Sequence, residues 1–344
     1  MAPTVRTLHP EGFHGARRLR RAMAGHGVRE SFFEGWYLKL ISADRTARLA
    51  LIPGVFLSEG GMIQESFVQV LDGESGETAY HRFEVSAFEA EEGAFDVRVG
   101  PNRFTSSGLR VELPDLTGEI RFGPLSPWPV TRREPGAMGW YAWVPTMECY
   151  HGVVSLGHSL SGELEHNGRH IDLTGGRGYI EKDWGTAFPQ GYIWMQSNHY
   201  AVPGVSLVAS TALIPWRRSA FRGDLVGLQL PESMGAVAGL HRFATYTRSR
   251  TLELKVTDDE VHWTMRSPNG WRLTLDASTR GRGTGLQHAP VRTQMHQRVA
   301  ETLGGRIRVK LLDPKGAIAF EGMGRAAGIE VHGAIDRLLA TPGR

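Results

Sequence analysis

The chain has 344 residues, with 39 Lys and Arg against 36 Asp and Glu, for a formal net charge of +3. Its one cysteine, Cys149, excludes an intrachain disulfide and a four-cysteine zinc site. Glycine contributes 43 residues, well above its usual share of ~7%, and without the three-residue period of collagen; it points to turns between short strands.

Residues 1–30 read as a basic arm carrying the run Arg17-Arg18-Leu19-Arg20-Arg21. It lacks the interleaved aromatics of a nucleic-acid platform, so no nucleic-acid partner is expected. We expect a solvated surface stretch, with peripheral contact to anionic lipid left open. No apolar window reaches the ~18 residues of a membrane span, and the first 30 residues hold no apolar core of a secretory signal. With one cysteine and no Asn-x-Ser/Thr sequon, a cytoplasmic location is expected.

Beyond the arm the dominant period is two, which is the strand period. Trp36, Leu38 and Leu40 share one face; Phe95, Val97 and Val99 alternate with Asp96 and Arg98; Leu109, Val111 and Leu113 alternate with Arg110 and Glu112. Residues 31–123 form a first β half. Prolines 124, 127, 129 and 135 leave little room for central strands, so 124–145 reads as a connection and 146–344 as a second β half.

In that half Asn167-Gly168 is a two-residue hairpin turn, pairing Leu164 with Ile171 and Glu165 with His170. Pro268-Asn269-Gly270 fits a three-residue loop with Gly270 left-handed, which sets Met265 against Leu273 and Trp263 against Leu275. A loop at residues 257–260 pairs Val256 with Val261 and Leu254 with Trp263, so Leu252–Leu275 is a three-stranded meander. Short helices are predicted around Val291–Leu303 and Ala334–Leu339. The fold class is all-β, with antiparallel sheets curled into barrels.

Common cofactor motifs are missing. There is no Walker A loop and no His-Glu-x-x-His. The glycine run Gly322–Gly328 leads into a strand-like segment rather than the helix a dinucleotide loop must open. The 14 histidines form no cluster with carboxylates at metal-ligand spacing, and His166 and His170 fall across a hairpin. No metal and no cofactor are expected.

Charges and aromatics crowd together in residues 175–189 and 192–200. Read as a strand, Tyr192, Trp194, Gln196 and Asn198 share one face, which suits a pocket that is apolar with a few placed polar groups. The bland alternative is a buried hydrogen-bond network bracing the barrel. Phe32–Lys39 echoes the pattern, with Glu34, Trp36, Tyr37 and Lys39 around Gly35.

These segments carry a family resemblance. Phe33-Glu34-Gly35-Trp36-Tyr37-x-Lys39, then Tyr179-x-Glu181-Lys182-Asp183-Trp184-Gly185 with Phe188-Pro189, then Trp194-x-Gln196-x-Asn198 resemble the tocopherol cyclase family, over about residues 30–335. Plant members carry Asn where Asp183 stands. The family is related to lipocalin-like carotenoid hydratases and two-barrel pericyclase-type enzymes. The resemblance therefore implies two lipocalin-like antiparallel β-barrel or sandwich halves with few short helices, and ligand at or between the barrels.

It also implies an isomerase (an intramolecular lyase) that closes a prenylated hydroquinol to a chromanol by alkene protonation and phenol capture. The expected partner is a hydrophobic prenylated small molecule. The expected acid is Asp183 or Glu34, with Glu181 third. Trp36, Trp184 and Trp194 would line the cation site. Tyr179, Gln196 and Asn198 would bind the quinol head, with Tyr37 and Lys39 beside them and Lys182 orienting a carboxylate. Two other classes stay open: a hydratase or isomerase of another isoprenoid, and a non-catalytic carrier of a hydrophobic small molecule. A structural ion-pair network of Glu34, Lys39, Lys182 and Asp183 is the competing reading of the charges.

Overall fold

The computed structural model describes residues 9–216, 219–280 and 283–343. Residues 1–8 of the expected arm lie outside the described residues. The chain forms two compact units, Met1–Phe188 with Gly285–Val299, and Pro189–Thr284 with Ala300–Arg344.

In the first unit α1 (Ala16–Met23) precedes a meander of β1 (Phe32–Ile41), β2 (Arg48–Leu57), β3 (Gln64–Asp72) and β4 (Thr78–Glu84). Five shorter strands follow: β5 (Phe88–Ala90), β6 (Asp96–Val99), β7 (Asn102–Thr105), β8 (Gly108–Glu112) and β9 (Leu116–Phe122). Then come β10 (Cys149–His166), β11 (Arg169–Asp172) and β12 (Arg177–Gly185). The spatial order is β4-β3-β2-β1-β12-β10-β9-β8-β7-β6-β5, with β11 beside β10. Because β6 returns against β2 and β3, the sheet curls around one core.

The second unit repeats the plan. Its meander is β13 (Gly191–Ser197), β14 (Ser206–Trp216), β15 (Ser219–Leu230) and β16 (Gly239–Ala244). After it run β17 (Arg250–Val256), β18 (Glu260–Arg266) and β19 (Arg272–Ser278). Strand β20 (Gly285–Pro290) belongs to the first unit and leads into β21 (Met295–Leu312), β22 (Ile318–Gly333) and α2 (Ile335–Ala340). The order is β16-β15-β14-β13-β22-β21-β19-β18-β17. In each unit the first strand of the meander is closed by a late strand, β12 on β1 and β22 on β13.

The all-β expectation holds, and so do the hairpins. Leu164 pairs with Ile171, Val256 with Val261, and Met265 with Leu273. Gly270 has φ +93°, which a side chain rarely adopts, so the sequence selects the turn and the turn selects the register. The helix predicted near Ala334–Leu339 forms as α2, which buries Leu338.

Three expectations change. The division at 124–145 does not separate the units, because β10 and β12 hydrogen-bond to β9 and β1 and so complete the first sheet. The helix predicted over Val291–Leu303 is strand instead: residues 295–303 open β21, whose pairing with β20 and, from Glu301 on, with β22 overrides the local four-residue apolar spacing. The arm is no loose surface stretch. Ala16, Leu19 and Ala22 of α1, with Phe13, are buried in the first core, and the arginines with Met23 face outward. The glycine run at 322–328 lies inside β22, so no dinucleotide loop exists there. Among the described residues no helix is long and apolar enough to cross a membrane.

Candidate functional site

Strand alternation sorts the predicted residues of the first unit onto two faces of the β2-β1-β12-β10 sheet. Successive side chains point to opposite sides. Glu34, Trp36, Leu38 and Leu40 of β1 share a side with Ile180, Lys182 and Trp184 of β12, and this side carries the core. Tyr37 and Lys39 share the other side with Tyr179, Glu181 and Asp183.

On the core side Glu34 and Lys182 form an ion pair at 2.7 Å, and neither side chain has any solvent exposure. The Glu34 carboxylate also accepts the backbone amides of His14 and Gly15, each at 3.0 Å. Lys182 Nζ donates to the carbonyl of Gly12 and lies 2.7 Å from His14 Nδ1. Trp36 and Trp184 flank the ammonium, with centroids 5.0 and 4.6 Å from Nζ. Burial alone would raise the Glu34 pKa, but Lys182 and His14 outweigh it and hold the carboxyl below its ordinary range. Burial pulls Lys182 down to about 8, against the pull of Glu34, so it stays charged at neutral pH.

The Glu34 carboxylate is therefore tied to Lys182 and the His14 and Gly15 amides on the core side, away from Asp183. The cation that Trp36 and Trp184 hold is the protein's own Lys182. The structural network expected as the competing reading exists, but its members are Glu34, Lys182 and His14. Asp183 and Lys39 lie on the opposite side of the sheet.

The opposite side brings Asp183, Glu181 and Tyr179 together with His151. Asp183 pairs in register with Gly35 on β1 and His151 on β10, and Glu181 with Tyr37 and Val153. His151 Nδ1 is 3.0 Å from Asp183 Oδ1, and His151 Nε2 is 3.6 Å from Glu181 Oε2. Tyr179 donates its hydroxyl to Glu181 Oε2. Burial disfavours charge on His151, yet Glu181 and Asp183 outweigh it and raise its pKa to about 9. An imidazolium thus bridges two carboxylates. Burial, reinforced by Glu181, pushes the Tyr179 phenol up, and burial with Asp183 nearby does the same to the Cys149 thiol, so both keep their protons. Lys39, opposite Tyr179, is fully buried on this side.

Phe33, Phe56 and Phe67 form an apolar cluster on the same side, with Cys149 and Phe188 packed against it. Phe188 meets Phe33 edge-on at 5.4 Å, and Cys149 Sγ is 4.0 Å from Asp183 Oδ1, so rings and carboxylates adjoin. The segment 285–299 lies across this sheet: Gln69 donates to the His288 carbonyl at 2.9 Å and accepts the His288 amide at 2.8 Å.

His151, Glu181 and Asp183 have ligand atoms within 4.8 Å of one another, the one grouping of three among the described residues able to hold a metal ion. This corrects the expectation of no histidine–carboxylate cluster. Linear spacing could not reveal it, because His151 meets Asp183 only across two strands. His151 Nδ1 is within hydrogen-bond distance of Asp183, while Nε2, 3.6 Å from Glu181, makes an ion-pair contact and no hydrogen bond.

The remaining predicted residues belong to the second unit. Tyr192, Trp194 and Gln196 share one side of β13, away from the core residues Ile193 and Met195. Tyr192 donates to Glu330 at 2.6 Å, and Trp194 pairs in register with Glu330, which pairs in turn with Glu301. Gln196 and Asn198 are buried. His166 and His170 pair separately, with Asp72 at 3.4 Å and Glu163 at 2.9 Å.

Residues 110–333 match the family described as tocopherol cyclase-like. A probable chloroplastic tocopherol cyclase of Oryza sativa subsp. japonica is 24% identical over 217 residues, covering 59% of this chain and 44% of the rice protein. A chloroplastic tocopherol cyclase of Zea mays is 24% identical over 216 residues, covering 59% of this chain and 43% of the maize protein. The chain therefore spans under half the length of these curated relatives. The crystal structure of CghA with Sch210972 superposes with a TM-score of 0.51 at 12% identity, covering 88% of this chain and 89% of that one, a likeness of fold.

Proposed function

The chain belongs to the tocopherol cyclase-like family, and from that premise we propose that it isomerises a prenylated hydroquinol to a chromanol by general acid–base catalysis. The observation that carries the reading is the His151 imidazole set between Asp183 and Glu181 beside a floor of phenylalanines.

The proton on the His151–Asp183 hydrogen bond is delivered through Asp183 to the CH carbon of the trisubstituted alkene. The other alkene carbon becomes a tertiary cation, stabilised by the faces of neighbouring rings. The phenol oxygen attacks it and closes the six-membered ring. Its proton passes to Glu181 and returns through His151, so the site is reset and no atom is gained or lost. Tyr179 holds Glu181 in place, while Lys39 and Tyr37 face the quinol oxygens. Holding the tail folded against the head would supply proximity, which is worth about 7–11 kcal/mol in well-oriented intramolecular reactions.

The test is incubation of the purified chain with phytyl and geranylgeranyl methylhydroquinols, with product analysis by mass and ultraviolet spectrum. A chromanol of unchanged mass supports the reading. A product heavier by one water would replace it with a hydratase. Quenching of tryptophan fluorescence without any product would replace it with a carrier.

A further inference from the structure

The basic run at 17–21, which the proposed chemistry does not use, lines a cavity. Arg17, Arg18 and Arg21 of α1, with Val28, Arg29 and Glu30 from the approach to β1, surround about 490 Å³ floored by Phe32 and Leu57. The volume lies within the ~300–1,000 Å³ of small-molecule sites.

Helix periodicity places these charges. Burial of Ala16, Leu19 and Ala22 leaves the intervening arginines only the outer side of α1. Arg20 turns to Glu92 at 3.2 Å, while positions 17 and 18 each stand one helical turn from position 21 around the cavity. The Arg18 guanidinium lies over the Phe32 ring at 5.1 Å and reaches Glu30 at 3.8 Å. Among the described residues, the side chains of Arg17, Arg21 and Arg29 make no ion pair or hydrogen bond. Four guanidiniums against one carboxylate leave three uncompensated positive charges on the lining. Like charges at this helical spacing repel, so the arrangement weakens α1 unless an anion fills the cavity.

We infer that this cavity binds a phosphate-type anion, a diphosphate or the phosphodiester head of an amphiphile. Guanidinium forks match phosphate oxygens in pairs. Several forks converging on one space favour a phosphate, which offers more acceptor oxygens than a lone carboxylate. The site is separate from Asp183 and His151, so it stands or falls independently of the proposed cyclisation.

Two arms distinguish the sources of that chemistry: calorimetric titration with inorganic pyrophosphate, and co-sedimentation with phosphatidylcholine vesicles with and without phosphatidylglycerol. The full chain is compared with the double variant Arg17→Gln, Arg21→Gln, whose side chains are exposed and whose melting temperature without ligand should equal or slightly exceed that of wild type. Wild type is expected to bind in at least one arm, more weakly as salt rises, and the variant at least about tenfold more weakly. Arg17→Lys, Arg21→Lys should recover part of the loss. Binding confined to pyrophosphate assigns a soluble ligand; binding confined to anionic vesicles assigns a membrane headgroup. Absence of wild-type binding in both arms, or a glutamine variant that binds as tightly as wild type, overturns the inference.

Discussion

His151 and Asp183 face each other across β10 and β12 with imidazole nitrogen and carboxylate oxygen 3.0 Å apart, although 32 residues separate them in the chain. The pairing gives the first unit a titration of its own. The His151 pKa is raised from 6.5 to about 9 by Glu181 and Asp183 acting against burial. A raised folded-state value means the charged form is favoured by folding. Its stabilisation is full below pH 6.5 and is lost as pH climbs through about 9. Melting temperature should therefore fall across that interval, and His151→Gln should flatten the fall; differential scanning calorimetry over a pH series measures both.

On the acid side two groups act in different windows. Burial lowers the His158 pKa to about 4, so its contribution is full above 6.5 and declines as pH falls toward 4. Asp72 is held at about 2 by His166, the Glu74 and Ser75 amides and Arg169, against burial, and its contribution is lost as pH falls from 3.8 through 2. Acid unfolding should start in the His158 window, and His158→Gln should delay its onset to lower pH in the same pH series.

The Glu34–Lys182 pair separates scaffold from site. Removing one partner of a buried pair leaves the other charge uncompensated, at a cost of about 3–5 kcal/mol. Glu34→Gln should therefore lower stability to urea by roughly that amount. Below its melting temperature it should still turn over, because Glu34 lies on the side of the sheet away from Asp183. Glu34→Gln with Lys182→Met should regain much of the loss, since an apolar replacement removes the stranded charge.

Two glycines of the predicted segments should behave oppositely. A Cβ on Gly185 would lie 2.2 Å from the Glu148 carbonyl oxygen, so Gly185→Ala forces the backbone apart and should cost about 1–3 kcal/mol. A Cβ on Gly35 would meet nothing closer than 3.6 Å. Gly35→Ala should fold like wild type and yet raise KM, because Gly35 stands directly opposite Asp183 on the reactive side. Urea unfolding with steady-state kinetics distinguishes the two.

Much of the fold was legible because hairpins are local: Asn167-Gly168 and Pro268-Asn269-Gly270 carry their registers in a few residues. The closure of β1 by β12 was not, since Glu34 and Trp184 are neighbours only after a long excursion of chain. The same limit governs the site. Alternation within Tyr179–Trp184 shows that Glu181 and Asp183 share a side, but which side carries the core depends on the partners of β12. His151 carried no visible signal, because nothing local marks a histidine between Tyr150 and Gly152 as the partner of a distant aspartate. Trp36 and Trp184 were read as lining a substrate cation; in the structure they flank the ammonium of Lys182 instead.

The central claim is that Asp183 passes a proton to the substrate alkene. Turnover of a prenylated hydroquinol in deuterium oxide tests it most directly, with the label located by nuclear magnetic resonance. We expect one deuterium at the chroman methylene derived from the alkene CH, and loss of turnover in Asp183→Asn with melting temperature nearly unchanged. Full turnover by Asp183→Asn, or a chromanol carrying no deuterium at that carbon, would contradict the account.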